Sequence, residues 1–380
     1  MAGTKDDGSL IAAFRMSLFV FIPFFVIFLG QGLVSPVLPL FCRSLGGGDA
    51  AVGLAVSASA LGMTAFSLPS SIITSKYGVQ LPMIVGLVLM GVASALSGAS
   101  ARVGALPGWV ALIAAQLVYG CAYMVVTLSQ QVWVKREVGA DVRGRLLSAI
   151  GGCSRVAKLL SPWPGGVLAQ QVGQRLPFFV QSGMQCAIVP ITVALYNRQQ
   201  ERRAAVRVES GEDADEGESA AASKPAARDS LLSSTRWRTS GWGFFTAAIF
   251  SFTLMTLRGA VPIVLPLKGE QLGFSEERIG LAFTVNGLFD ALFFPLSGLW
   301  ADKYGRRFPC GVSIALMAIG FAALNVRPAA GGDGFWVMML GSAITGVGNG
   351  VSSGMVMVMG CVTRASGRAS ARARAPADRY

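Results

Sequence analysis

The 380-residue sequence contains no histidine, and only 14% of its residues are charged. Without imidazole there is no raw material for His-ligated zinc or for Ser-His-Asp hydrolysis, so no enzymatic activity of those kinds is expected. The charge content falls well short of the roughly one quarter usual in a soluble domain. No Asn-x-Ser/Thr acceptor and no C-x-x-C pair occurs. The six cysteines are Cys42, Cys121, Cys153, Cys186, Cys310 and Cys361, and all but the first and last fall in or just within apolar segments. That placement fits packed thiols better than a disulfide framework or a metal site, and no metal or cofactor is expected. The first apolar run is too long for a signal-peptide core, and Asp6 and Asp7 argue against a transit peptide, so residues 1–15 read as a short retained tail.

What fills the place of charge is hydrocarbon, since 53% of the residues are apolar. Stretches long enough to cross about 30 Å of bilayer lie near 16–40, 51–73, 81–100, 109–131, 147–170, 176–196, 242–265, 279–300, 309–326 and 335–360. They predict an all-α polytopic membrane protein with ten spans. The net charge of +12 resides in loops between these runs rather than on a soluble face with interleaved aromatics, which excludes a nucleic-acid partner. Counting Lys and Arg in alternating loops puts 23 on one side and six on the other (Arg43, Arg102, Arg175, Lys268, Arg278 and Arg327). The positive-inside rule then places both termini in the cytoplasm.

Residues 198–240 change character. Arg198, Arg202, Arg203 and Arg207 are followed by Glu209, Glu212, Asp213, Asp215, Glu216 and Glu218 and then Ala/Ser-rich sequence, the composition of a disordered charged linker. It separates a six-span unit, 16–197, from a four-span unit, 241–361, which is followed by a basic low-complexity tail, 362–380.

Two loops look like copies. Gly298-Leu-Trp-Ala-Asp302-Lys303-Tyr304-Gly305-Arg306-Arg307 must be aqueous, because a charge at the membrane centre costs about 2.5–3.5 kcal/mol. In the earlier half Ser75-Lys76-Tyr77-Gly78 repeats the lysine, tyrosine and glycine at the same spacing, without the carboxylate and the paired cations.

The later copy resembles the G-x-x-x-D-[RK]-x-G-[RK]-[RK] signature of the major facilitator superfamily. Further along, Ser161-Pro162-Trp163-Pro164-Gly165-Gly166 is similar to the fifth-helix G-P-x-x-G-G motif of that superfamily's drug/proton antiporters. The resemblance implies a pseudo-symmetric helical bundle with a solute site between two halves. It also implies a gating role for Gly298, Asp302, Lys303, Gly305, Arg306 and Arg307, with Asp302 bracing the start of the fifth span near Arg143 and Arg145. Against the superfamily's six spans per half, the second half here is two short. Truncation would leave Gly346, Gly348 and Gly350 open to lipid or a partner, with self-association through the exposed second-half helices as its consequence.

Ionisable groups inside spans are functional candidates by default. Gly151, Arg155, Lys158, Pro162 and Gly165 share one helix face, and so do Asn286, Asp290, Phe293 and Ser297. Asp290 is the one carboxylate deep within a span and is the candidate for proton coupling. Burial opposes ionisation of such a group and a nearby arginine favours it, so it can exchange a proton as its surroundings alternate. Gln31, Gln116, Tyr123, Arg155, Lys158, Arg258 and Asn286 are the candidate substrate contacts. A static Arg258–Asp290 pair is the competing structural reading. The expected function is secondary transport of small organic solutes by alternating access, with proton-coupled antiport and efflux implied by the motif. The alternative is a transport-dead, truncated paralogue that serves as a membrane scaffold, or a mis-predicted gene product.

Overall fold

The structure, a computed structural model, describes residues 20–102, 107–137, 140–210, 241–304, 307–326 and 334–352. All of it is helix and short connection, as lipid demands: a helix satisfies its own backbone donors and acceptors where no water can. The first span is α1 (Val20–Val34) bent by 44° into α2 (Leu38–Ser44), where Pro36 and Pro39 interrupt the backbone ladder. The second is α3 (Asp49–Ala65) bent by 48° into α4 (Ser67–Tyr77). Then follow α5 (Gln80–Ala99), α6 (Gly108–Glu137), α7 (Ala140–Leu160), α8 (Pro162–Gln171) and α9 (Leu176–Ser210). The later half holds α10 (Gly241–Gln271), α11 (Glu276–Tyr304), α12 (Arg307–Asn325) and α13 (Phe335–Ser352).

Among the described residues, six helices are long and apolar enough to cross a membrane alone, and eight are if each bent pair is one span. The sequence reading counted ten. The other two are α7–α8, which Pro162 breaks at Ser161 and which carries Arg155 and Lys158, and the span expected at 335–360, of which only residues 335–352, with Asn349 in α13, are described. Helix α9 also runs on to Ser210, past the boundary set at residue 197, because Gln199, Gln200, Glu201 and Ala204 are good helix formers. The tail 1–15, residues 211–240 of the linker and the tail 362–380 lie outside the described residues.

The interior is divided as the loops are. Val20, Ile27, Met83, Leu87, Met90, Tyr119 and Val126 form one cluster in the earlier half. Leu265, Ile279, Ala282, Leu324 and Met338 form another in the later half, and Leu40 of α2 reaches across to join it. Leu61, Leu68, Ile72, Leu292, Leu299 and Ile319 are exposed, as an apolar periphery in contact with hydrocarbon requires. The two copies share one local contact. In both copies the lysine lies over the ring of the tyrosine that follows it, at 5.3 Å for Lys76–Tyr77 and 5.2 Å for Lys303–Tyr304.

One expectation is overturned. Gly346, Gly348 and Gly350 are buried rather than open to lipid. A Cβ on Gly346 would lie 2.3 Å from the Asn286 carbonyl oxygen, one on Gly348 2.7 Å from Met317, and one on Gly350 2.7 Å from the Asp290 carbonyl oxygen. The small residues bring α13 against α11 and α12 of its own half, so they offer no surface for self-association.

Candidate functional site

Where the two halves meet, a cavity of about 300 Å³ is lined by Gln31, Gly32 and Ser35, by Lys158 and Pro162, by Arg258, Val261 and Pro262, by Phe283, Asn286, Gly287 and Asp290, and by Asn349. Five of the eight predicted contact and proton-site residues thus converge there: Gln31, Lys158, Arg258, Asn286 and Asp290. Arg155 joins them from α7. Its Nη1 donates to Asp290 Oδ1 at 2.5 Å, and its guanidinium lies 4.0 Å over the Phe294 ring. The Asp290 partner is therefore Arg155 of the opposite half, not Arg258 as the competing reading had it. Arg258 instead donates through Nη2 to the Asn349 carbonyl (3.1 Å) and Ser352 Oγ (2.6 Å). Asn286 lines the cavity while its amide donates to the Ser342 carbonyl (3.0 Å) and Thr345 Oγ1 (2.9 Å), tying α11 to α13.

Gln116 and Tyr123 are not part of the cavity wall. Gln116 is buried and donates to Ser97 Oγ at 3.2 Å, fastening α6 to α5, and Tyr123 sits edge-on to Phe28 in the core of the earlier half. Their spacing put them on one face of α6, but that face turns toward neighbouring helices. A polar chain that the sequence reading missed lies behind Gln31. The Tyr119 hydroxyl is hydrogen-bonded by Gln31, by Gln181 Nε2 (2.9 Å) and by Gln185 Nε2 (3.1 Å), and Ser94 Oγ donates to Gln181 Oε1 at 2.8 Å. The signal was present, because Gln181 and Gln185 stand four apart within an apolar span, which places two amides on one helix face.

The Ser161-Pro162-Gly165-Gly166 motif explains how the halves approach. Pro162 starts α8 after the break at Ser161, and α8 lies between α1 and α11. A Cβ on Gly165 would be 2.1 Å from the Leu33 carbonyl oxygen, and one on Gly166 2.3 Å from that of Glu276. Only glycine allows both contacts.

At one end of the bundle the halves are tied by polar side chains. Arg43 at the end of α2 bonds Asp49 of its own half and, at 2.9 Å, Glu270 of the other. Gln174 Nε2 donates to Glu276 Oε1 at 2.9 Å, the Glu277 backbone N–H donates to Gln170 Oε1 at 3.3 Å, and the Trp163 backbone N–H donates to Thr284 Oγ1 at 3.2 Å. The signature loop lies at the opposite end. Gly298, Asp302 and Lys303 are on α11 and Arg307 opens α12. Gly305 and Arg306 fall outside the described residues, as do the side chains of Asp302, Arg143 and Arg145 on which the expected brace depends.

A family model described as "Major Facilitator Superfamily" matches residues 20–267 and 243–376. The chain belongs to that superfamily. Among curated superfamily relatives, quinolone resistance protein NorA of Staphylococcus aureus is 25% identical over 317 residues, covering 83% of this chain and 74% of NorA. Superfamily structures share the fold. A mutant form of the nucleoside transporter NupG aligns with TM-score 0.66 at 12% identity, over 92% of this chain and 82% of its own. The xylose transporter XylE of Escherichia coli, in a partially occluded inward-open conformation, aligns with TM-score 0.64 at 13% identity, over 91% and 83%. The chain is thus an integral multi-pass membrane protein of a transporter family.

Proposed function

We propose that the protein is a proton-coupled antiporter that exports small organic solutes by alternating access, with Asp290 as the proton site. The observation that carries this reading is the Arg155–Asp290 pair, which joins the two halves at the central cavity. A proton arriving at Asp290 discharges the carboxylate and releases Arg155, so protonation alters a bond on which the relative position of the halves depends. The likeness to NorA and the fifth-helix motif support antiport. Both termini are assigned to the cytoplasm from the Lys and Arg distribution, which puts the end tied by Arg43 and Glu270 on the outside and the signature loop, with Asp302 as its brace, on the inside.

The test uses the full chain in proteoliposomes with an imposed pH gradient and a panel of small organic solutes. Movement of a solute against its own gradient, in the direction opposite to the proton and abolished by a protonophore, is the expected result. Solute flux that ignores the pH gradient refutes the coupling, and absence of flux for every solute favours the scaffold alternative.

A further inference from the structure

The charges around the cavity do not balance, and the way they fail to balance specifies a ligand. Three cations, Arg155, Lys158 and Arg258, face one carboxylate, Asp290. Arg155 is engaged by that carboxylate, and Arg258 bonds a carbonyl and a hydroxyl of α13. Lys158 has neither kind of partner. Among the described residues no carboxylate lies within ion-pair distance of it and no hydrogen bond is made by its ammonium, whose neighbour is the Phe28 ring at 5.2 Å. Lys158 is exposed although it lies deep in the bundle, so what it is exposed to is the cavity. An ammonium in that position attracts an anionic group.

An anion alone does not satisfy the antiport reading, on which this step rests. A pure anion competes with Asp290 for Arg155 and thereby favours the protonated carboxyl, so it binds together with the proton, and linkage makes that a same-direction coupling. A pure cation excludes the proton from Asp290 as antiport requires, but it enters a site that already carries an excess of two positive charges. A ligand that bears both groups meets both demands. Its protonated amine takes Asp290 and its anionic group is held by Lys158 and the displaced Arg155. Val261, Pro262 and Phe283 supply apolar wall for its body, and a volume of about 300 Å³ keeps that body compact, at the lower end of the usual range for ligand pockets. We propose that the cavity takes a compact amphipathic zwitterion, its amine seated on Asp290 and its anionic group on Lys158.

The test compares matched trios of aromatic amino acid, methyl ester and N-acetyl derivative, which are zwitterion, cation and anion on one framework. Binding to the full chain in detergent is measured in mildly acidic solution, at about pH 6, where the ester amine is protonated and each compound carries its stated charge. Zwitterions should bind, and the esters and the N-acetyl anions, each lacking one of the two charged groups, about tenfold or more weaker. Lys158→Gln should lower zwitterion affinity about tenfold and leave the esters unchanged, and Lys158→Arg should retain most of it. Esters that bind as tightly as their parent zwitterions overturn the proposal. So does a Lys158→Gln protein of wild-type affinity, or a panel in which no zwitterion binds. The transport reading is judged separately in proteoliposomes. Zwitterions that bind but are not moved by a pH gradient would refute transport and leave the site standing, whereas gradient-driven flux of esters alone would do the reverse.

Discussion

Among the described residues two ion pairs join the halves, and they differ in burial and so in what it costs to break them. Arg43–Glu270 sits at one end of the bundle with side chains 28% and 40% exposed, while Arg155–Asp290 stands at the cavity with 14% and 9%. Exposed pairs contribute about 0–1 kcal/mol and are screened by salt. A buried pair repays little of its own desolvation, yet removing one partner costs about 3–5 kcal/mol because the other is left charged and unpaired. Breaking the first pair costs little, so it can open and close cheaply if alternating access requires it. The second resists being broken unless something neutralises Asp290 or replaces Arg155, the part that the proposed mechanism gives to a proton or a substrate.

The largest effect should follow from breaking the inner pair on one side only. Asp290→Ala is expected to lower the stability of the solubilised protein by about 3–5 kcal/mol, and replacing both Arg155 and Asp290 by Met should recover most of that loss but none of the transport. Thermal unfolding in detergent reads the first effect and vesicle flux the second. A double variant no more stable than Asp290→Ala would mean that the two residues do not act as a pair.

Next in size is the close packing of α8 on α1 within the earlier half. Gly165→Val forces a side chain into the Leu33 carbonyl and should cost about 1–3 kcal/mol together with transport. Gly151→Ala, where no atom lies within 4 Å of a new Cβ, should be neutral or slightly stabilising. Equal damage from both would show that α8 does not need close contact with α1.

The outer pair should show a small energy and a large geometric effect. Arg43→Ala is expected to change stability by about 1 kcal/mol or less. It should nevertheless make a cysteine placed at Ser35 react faster with impermeant reagents added from the Arg43 end. High salt should act on the wild type in the same direction. Unchanged reactivity under both treatments would remove Arg43 from the closure of that end. Smallest of all, Tyr123→Phe and Gln116→Leu should leave substrate affinity unaltered, since neither side chain reaches the cavity. A tenfold loss of affinity in either would restore the face of α6 to the site.

Much of this was legible in the chain. Hydropathy located eight of the ten spans it predicted, and Lys158, Arg258 and Asp290, marked as charges that could not face hydrocarbon, line the cavity between the halves. What failed has physical causes. Helical spacing shows that Gln116, Gly120 and Tyr123 share a face but not which way the helix is rotated, and close packing of Gly120 on the Ser59 carbonyl turns that face inward. The competing reading paired Asp290 with Arg258 because Arg155 is 135 residues away in the other half, a contact that no local pattern records. The same applies to the glycines of α13. A run of small residues reads equally well as an open surface or as a site of close contact, and only the positions of α11 and α12 decide between them.

The central claim is that the Arg155–Asp290 pair converts proton movement into solute movement, and Asp290→Asn tests it most directly. In proteoliposomes this variant should still exchange solute across the membrane at equilibrium, because an uncharged amide releases Arg155 as a proton would, while it loses accumulation driven by a pH gradient. Gradient-driven accumulation at the wild-type level in Asp290→Asn would contradict the account.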